Sequence, residues 1–291
     1  MKIVKILGGL GNQMFQFALY KALQAKWPEE RVLVDLHAFS GYRKHQGFEI
    51  GRVFGAGYEE ATLAETARLA YPYANYPLWR VASRLLPVRR TMLKEKATLD
   101  YEPAALTRPG DTYYDGYWQH EEYFAHLRPQ LLRLFAFPPL DGDERNRQAA
   151  AAITSCRSCS IHIRRGDYLS DPLRRGTTGD AFVMRAIARM RLTEQPEAWF
   201  VFSDDIAWCR AHLAEALTGE TVSYIGWNQG GASIHDMHLM SLCRHQIIAN
   251  SSFSWWAAWL NRNESKTVIG PQVWMSLPHT ASPMPGGWIR L

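Results

Sequence analysis

Strand patterns at 158–163, 198–202, 221–225, 245–249 and 267–269 alternate with helical patterns at 180–191, 206–217, 233–242 and 253–260. This alternation constrains the fold more than any other feature of the chain. Strands separated by helices pack as a parallel sheet with right-handed crossovers, covered on both faces. Almost every polar cluster of this half follows a run directly: His162-Ile163-Arg164-Arg165-Gly166-Asp167, Ser203-Asp204-Asp205, Gly226-Trp227-Asn228 and Asn250-Ser251-Ser252-Phe253-Ser254. Ligands bind at that edge of an open α/β sheet, so four clusters on it predict one site.

The segment 158–168 is the sharpest of them. A strand carrying β-branched Ile161 and Ile163 runs into Arg164, Arg165 and Gly166. Paired guanidiniums suit a phosphate or diphosphate, because the planar fork donates bidentate hydrogen bonds and keeps its charge when desolvated. An isolated Arg-Arg is more often solvated surface, but its place at the strand end argues for a ligand. Ser203-Asp204-Asp205 reads as carboxylates for ribose hydroxyls or a base edge, as a divalent-metal site, or as helix N-capping. A metal would need further carboxylates, and the arginines already supply positive charge. The hydroxyls of 250–254, at a helix start, make a phosphate or sugar cradle, with capping by Ser251 or Ser252 as the plain reading. Asp236 lies at a helix start on the same edge. His235 and His238 could chelate a metal, yet no third ligand is apparent.

The first half opens with a strand at 2–7, a Gly8-Gly9-Leu10-Gly11 turn, a helix at 12–26 and a second strand at 31–36. The turn has only part of a dinucleotide fingerprint, since Met14 stands at the third glycine position. It reads equally as a tight turn with Asn12 as the N-cap or as a place where ligand meets backbone. The stretch 41–90 is poorly patterned apart from a helix near 59–69. Aromatics at 113–124 suit a carbohydrate face, although most belong in the core. The linker signal Pro138-Pro139-Leu140-Asp141-Gly142-Asp143 puts a domain boundary at 145/146.

At 291 residues the chain can hold two such domains, and its net charge of +5 fits a small anionic ligand. That charge is too mild, and too little interleaved with aromatics, for nucleic acid. No apolar run reaches a membrane span or a signal sequence, which predicts a cytoplasmic protein, with peripheral membrane contact left open. Cys156, Cys159, Cys209 and Cys243 read as structural rather than as a disulfide or zinc framework.

Together GlyGlyLeuGlyAsnGlnMetPheGlnPheAla (8–18), GlyTyrTrpGln…TyrPhe (116–124), HisIleArgArgGlyAspTyr (162–168), PheSerAspAsp (202–205) and the segment from Asp236 to Asn261 containing AsnSerSerPheSerTrpTrp resemble the α-1,2-fucosyltransferases of glycosyltransferase family 11. The likeness spans nearly the whole chain in the family's order. It implies an α/β, GT-B-like fold of two Rossmann-type domains facing a central cleft, with an acceptor-side domain at 1–145 and a GDP-fucose-binding domain at 146–291. It implies GDP-β-L-fucose as donor, transfer with inversion to the 2-hydroxyl of a galactose-terminated oligosaccharide or glycolipid, and no metal. The product would be a surface glycan of the O-antigen kind.

By the same resemblance Arg164 grips the diphosphate and His162 supports the nucleotide. Ser203, Asp204 and Asp236 hold ribose or guanine; Asn250, Ser251, Ser252 and Phe253 line the phosphates and fucose. Asp167 is the candidate base on proximity to Arg164, with a structural role as its rival, and Asn12 with Gln13 would orient acceptor or donor. The alternatives are a non-catalytic nucleotide-sugar-binding module, a fucosyltransferase of another linkage and, more remotely, a dehydrogenase.

Overall fold

The computed structural model describes residues 1–140, 142–173 and 178–291, with Asp167 described by its backbone alone. The chain divides into two compact units, Met1–Ala136 and Phe137–Leu291. The break falls ahead of the expected 145/146. Phe137 already stacks on His238 (centroids 4.7 Å apart), and Asn146 bonds Asn228, so the linker region packs with the second unit.

In the first unit, strands β1 (Lys2–Lys5), β2 (Val32–Asp35), β3 (Met92–Lys94) and β4 (Thr112–Asp115) form a parallel sheet in the order β2-β1-β4-β3. Helix α1 (Leu10–Lys26) follows β1 and buries Met14, Phe15, Leu19, Ala22 and Leu23, the face its apolar spacing indicates. Smaller helices complete the unit: α2 (Ile50–Phe54), α3 (Leu63–Leu69), α4 (Tyr76–Leu85), α5 (Ala104–Thr107) and α6 (Arg128–Leu134). Two lysines run through this core. Lys2 Nζ donates to the carbonyls of Arg108 and Gly110, and Lys5 pairs with buried Asp115, so neither charge is left unmatched.

The second unit holds β5 (Ser158–Ile163), β6 (Ala198–Ser203), β7 (Val222–Ile225), β8 (His245–Ile247), β9 (Val268–Gly270) and β10 (Ile289–Arg290). All pair in parallel, in the order β7-β6-β5-β8-β9-β10. Counted from β5, this is the Rossmann order 3-2-1-4-5-6, whose direction reverses between β5 and β8. The connecting helices are α7 (Glu144–Thr154), α8 (Asp180–Glu194), α9 (Ile206–Leu213), α10 (Ile234–Leu242) and α11 (Ser252–Leu260). Strand β5 is buried along its whole length, as a central parallel strand must be. The expected α/β, GT-B-like plan of two Rossmann-type domains is met by these two parallel sheets. All four cysteines are free thiols, three of them buried. No described helix is long and apolar enough to cross a membrane.

Candidate active site

The switch point between β5 and β8 organises the second unit's polar groups. His162 ends β5 and is buried. Burial, helped by the charge of Arg164, pulls its imidazole down to about 3, so it is neutral at physiological pH. Its ring lies 6.0 Å from that of Phe253, and its Nδ1 has no hydrogen-bond partner among the described residues. A buried ring nitrogen left in this state is suited to a ligand polar group.

The two arginines, a pair in the sequence, have different partners. Arg165 stacks its guanidinium 3.9 Å over the Trp208 ring and donates from Nε to Asp205 at 3.3 Å. That guanidinium holds β5's loop to α9. Arg164 instead meets Asp204 Oδ2 at 3.1 Å while keeping about a third of its side chain exposed at the strand end. Asp204 also accepts from the Arg165 backbone N–H at 2.9 Å. One carboxylate thus fixes both the loop and the aim of Arg164.

Gly166 is required by that arrangement, because a Cβ there would lie 2.5 Å from Asp204 Oδ2. Gly166→Ala should displace the carboxylate and misdirect Arg164. For the GDP donor that the sequence resemblance implies, affinity should fall about ten-fold, the loss of ~1.4 kcal/mol from a charge-assisted contact. Calorimetry with GDP checks this, and unchanged affinity would separate Asp204 from the aim of Arg164.

Across the switch point, the backbone of Asn250 leads into α11. Asn250 is buried, its amide spanning Trp274 O at 3.1 Å and Thr178 Oγ1 at 3.2 Å. Its carbonyl accepts from Tyr168 Oη at 3.1 Å, tying the loop after β5 to the end of β8. Ser251 is the N-cap of α11, its Oγ accepting from Phe253 N at 3.3 Å. Ser252 and Phe253 form the helix's first turn, where backbone N–H groups and the dipole favour an anion. Asp205 caps α9, taking the Trp208 N–H at 3.0 Å, and Ser203 Oγ accepts from Asp205 N at 2.9 Å. The capping reading therefore holds for Asp205 and Ser251, while Asp204 works as the clamp of Arg164.

Asp236 opens α10 beside a network that sequence reasoning missed. Asn228 donates to Asp236 Oδ1 at 2.7 Å and exchanges hydrogen bonds with Asn146, which also accepts from Trp227 Nε1. Burial pushes the Asp236 carboxyl up to about 7 despite the Asn228 donor. Such a carboxyl can accept from or donate to a base edge. Asn228 belongs to the Gly226-Trp227-Asn228 cluster, but Asn146 is 82 residues away from it, so no local pattern could have paired the two. His238 lies stacked on Phe137, and among the described residues no three His, Cys, Asp or Glu side chains gather as a metal site. Asp167 opens a single 3-10 turn, Asp167–Ser170, and its side chain lies outside the described residues.

In the first unit the carboxyl ends of β1, β3 and β4 meet. Gly8 has φ 103°, a left-handed conformation open to glycine, and the N-cap of α1 is Gly9, so Asn12 is not the cap but part of the first turn. Asn12 Oδ1 accepts from Gln119 Nε2 at 2.8 Å. Gln13 is committed to the backbone, donating to Gly8 O and Gly47 O and accepting from Glu49 N, each at 2.8 Å. Glu95, also unforeseen, takes the backbone N–H groups of Tyr117 and Trp118 at 2.6 and 2.7 Å. It thereby holds Trp118 at φ 57°, a strained value for a non-glycine residue. Burial raises the Glu95 carboxyl to about 7 against those donors.

A Rossmann-type sheet with a cation and a helix N-terminus at its switch point has the form of a site for an anionic ligand. The match to a family description makes this narrower: residues 50–289 fit glycosyl transferase family 11. The chain belongs to that family. It is 28% identical over 295 residues to an alpha-1,2-colitosyltransferase of Escherichia coli, covering 99% of this chain and 98% of the relative. It is 28% identical over 305 residues to the O-antigen biosynthesis glycosyltransferase WbnK of Escherichia coli, covering 98% of each. A mouse (Mus musculus) galactoside 2-alpha-L-fucosyltransferase, Sec1, is 26% identical over 245 residues, covering 74% of this chain and 64% of the relative.

Proposed function

We propose that this glycosyltransferase moves L-fucose from GDP-β-L-fucose to the 2-hydroxyl of a galactose-terminated acceptor, forming an α-1,2 linkage for a surface glycan. The observation that carries the reading is Arg164, held by Asp204 at the end of β5 opposite the N-terminus of α11. Breaking the bond from the sugar's anomeric carbon to GDP leaves the electron pair on the diphosphate. The guanidinium and the N–H groups of the first turn of α11 stabilise that charge as it grows, without reorganising. Neutral His162 adds a polar contact without a second positive charge. Ser203 and Asp236 contact ribose or guanine, the Asp236 carboxyl facing a base edge that offers both donors and acceptors.

The acceptor hydroxyl attacks the face opposite the leaving group, which inverts a β-linked donor to an α product. Its proton passes to a carboxylate, and Asp167 is the group we assign. Asn12, with Gln119 behind it, orients the acceptor. Cation and helix dipole together offset the diphosphate charge, so turnover needs no divalent metal.

The test is transfer from GDP-fucose to lactose-type acceptors, with the linkage read by mass spectrometry of the permethylated product. An α-1,2 product, insensitive to EDTA, is expected, and Asp167→Asn should keep donor affinity while losing turnover. Neither transfer nor donor hydrolysis with any galactoside would leave a non-catalytic nucleotide-sugar binder as the better account. The Escherichia coli colitosyltransferase motivates a second reading, with GDP-colitose, the 3-deoxy counterpart of the fucose donor, as substrate. Competition between the two donors in one assay separates them.

A further inference from the structure

Helix α4 of the first unit has its outward face covered by no described part of the chain. Its inner face packs through Trp79 and Ala82 onto the cluster of Leu69, Tyr73 and Met92, with Lys5 Nζ 3.8 Å over the Trp79 ring. Asn75 caps the start, accepting from Leu78 N at 2.9 Å. Leu78, Val81 and Leu85 follow at helical spacing along another face and are 45%, 56% and 77% exposed; Leu86 and Val88 continue the ridge. Five of the eleven large apolar side chains exposed among the described residues thus lie within 78–88. Single exposed leucines need no explanation, but a row does.

Charge on the same segment says what the row meets. Between 66 and 94 the sequence has Arg68, Arg80, Arg84, Arg89, Arg90 and Lys94 and no acidic residue. Six cations exceed the whole chain's net charge of +5, so the remaining residues are close to neutral. Arg80 and Arg84 lie one turn apart beside the apolar row, and among the described residues neither meets a carboxylate. Arg89 stacks 4.2 Å over Tyr71 and donates to Ala67 O, while Tyr71 Oη donates to Pro87 O. The segment beyond the helix is therefore pinned in place with its cations displayed.

We propose that α4 and the residues to Arg90 are a docking element for an anionic lipid bilayer, the apolar row entering the headgroup–acyl boundary and the arginines meeting lipid phosphates. An amphipathic helix of low overall hydrophobicity, apolar on one face with flanking arginines, has the chemistry of that interface. A second copy of the chain fits less well, because pairing these faces would bring like charges together. The assignment is independent of which sugar the enzyme transfers.

Sedimentation of the full chain with vesicles tests it. We expect binding to phosphatidylcholine vesicles containing phosphatidylglycerol, little to phosphatidylcholine alone, and weakening in high salt. At roughly five-fold per surface cation, Arg80→Gln with Arg84→Gln should cut partitioning about thirty-fold. Leu85→Glu should reduce it as well, with GDP affinity and melting temperature unchanged in both variants. The assignment is overturned if the wild type ignores anionic vesicles, if neutral vesicles bind it equally, if both variants partition as before, or if the face proves instead to mediate dimerisation in solution.

Discussion

Arg164→Ala is expected to lower kcat/KM for sugar transfer by about 10²–10³, the cost of removing one preorganised donor to a developing anion. The protein should stay folded, because Asp204 keeps its bond to the Arg165 backbone and about a quarter of its side chain in water. Arg164→Lys should recover only part of the loss, since an ammonium carries the charge without the bidentate fork. The neighbouring substitution is the control. Arg165→Ala removes a guanidinium stacked on Trp208 and should reduce stability more than it reduces turnover per folded molecule. Steady-state kinetics beside thermal melts read both effects. If the two variants exchanged phenotypes, the division of labour between these arginines would be wrong.

Trp256→Ala carries the largest expected stability effect, about 3–5 kcal/mol. Trp256 is fully buried, edge-on to Trp255 at 5.1 Å and to Trp259 at 5.2 Å. An emptied indole site cannot collapse easily between two other indoles, so the cavity persists. The consequence reaches the site, because α11 presents Ser251, Ser252 and Phe253 from its first turn. Chemical denaturation should register the loss in the second unit's transition, with GDP affinity falling in parallel. Trp256→Phe, which fills most of the volume, should lose less than half as much. A cost under 1 kcal/mol for the alanine variant would mean that the helix is not anchored by this cluster.

Much of the second unit could be read from the chain because its central strands β5, β6 and β8 are almost wholly buried and bounded by polar ends. Strand β5 runs over 158–163 as read from the sequence, the four other strands expected there differ by a residue or two, and the short β10 was not foreseen. The first unit was harder. Strand β3 spans Met92–Lys94 only, and all four residues of β4 are buried, so neither has an alternating pattern. Helix α4 has no buried residue at all, which hid it in a poorly patterned stretch. Helix α7 begins at Glu144, directly after the linker signal and ahead of the expected boundary, and was not foreseen because its exposed face is polar and its few buried residues contact groups distant in sequence.

The site divides in the same way. That polar clusters end strands was visible locally, and the parallel order of the sheet then brings His162, Arg164 and Ser251 to one edge. Which arginine is committed to packing depends on Trp208, more than forty residues away, and no spacing rule gives that. The Asn146–Asn228–Asp236 network and the hold of Glu95 on the loop at Trp118 are long-range closures of the same kind.

A crystal structure of the chain with GDP tests the central claim most directly. The diphosphate should lie within ~3 Å of the Arg164 guanidinium, between the end of β5 and the first turn of α11, where charge-assisted hydrogen bonds form. A diphosphate seated instead on the Gly8-Gly9-Leu10-Gly11 turn of the first unit would contradict the account.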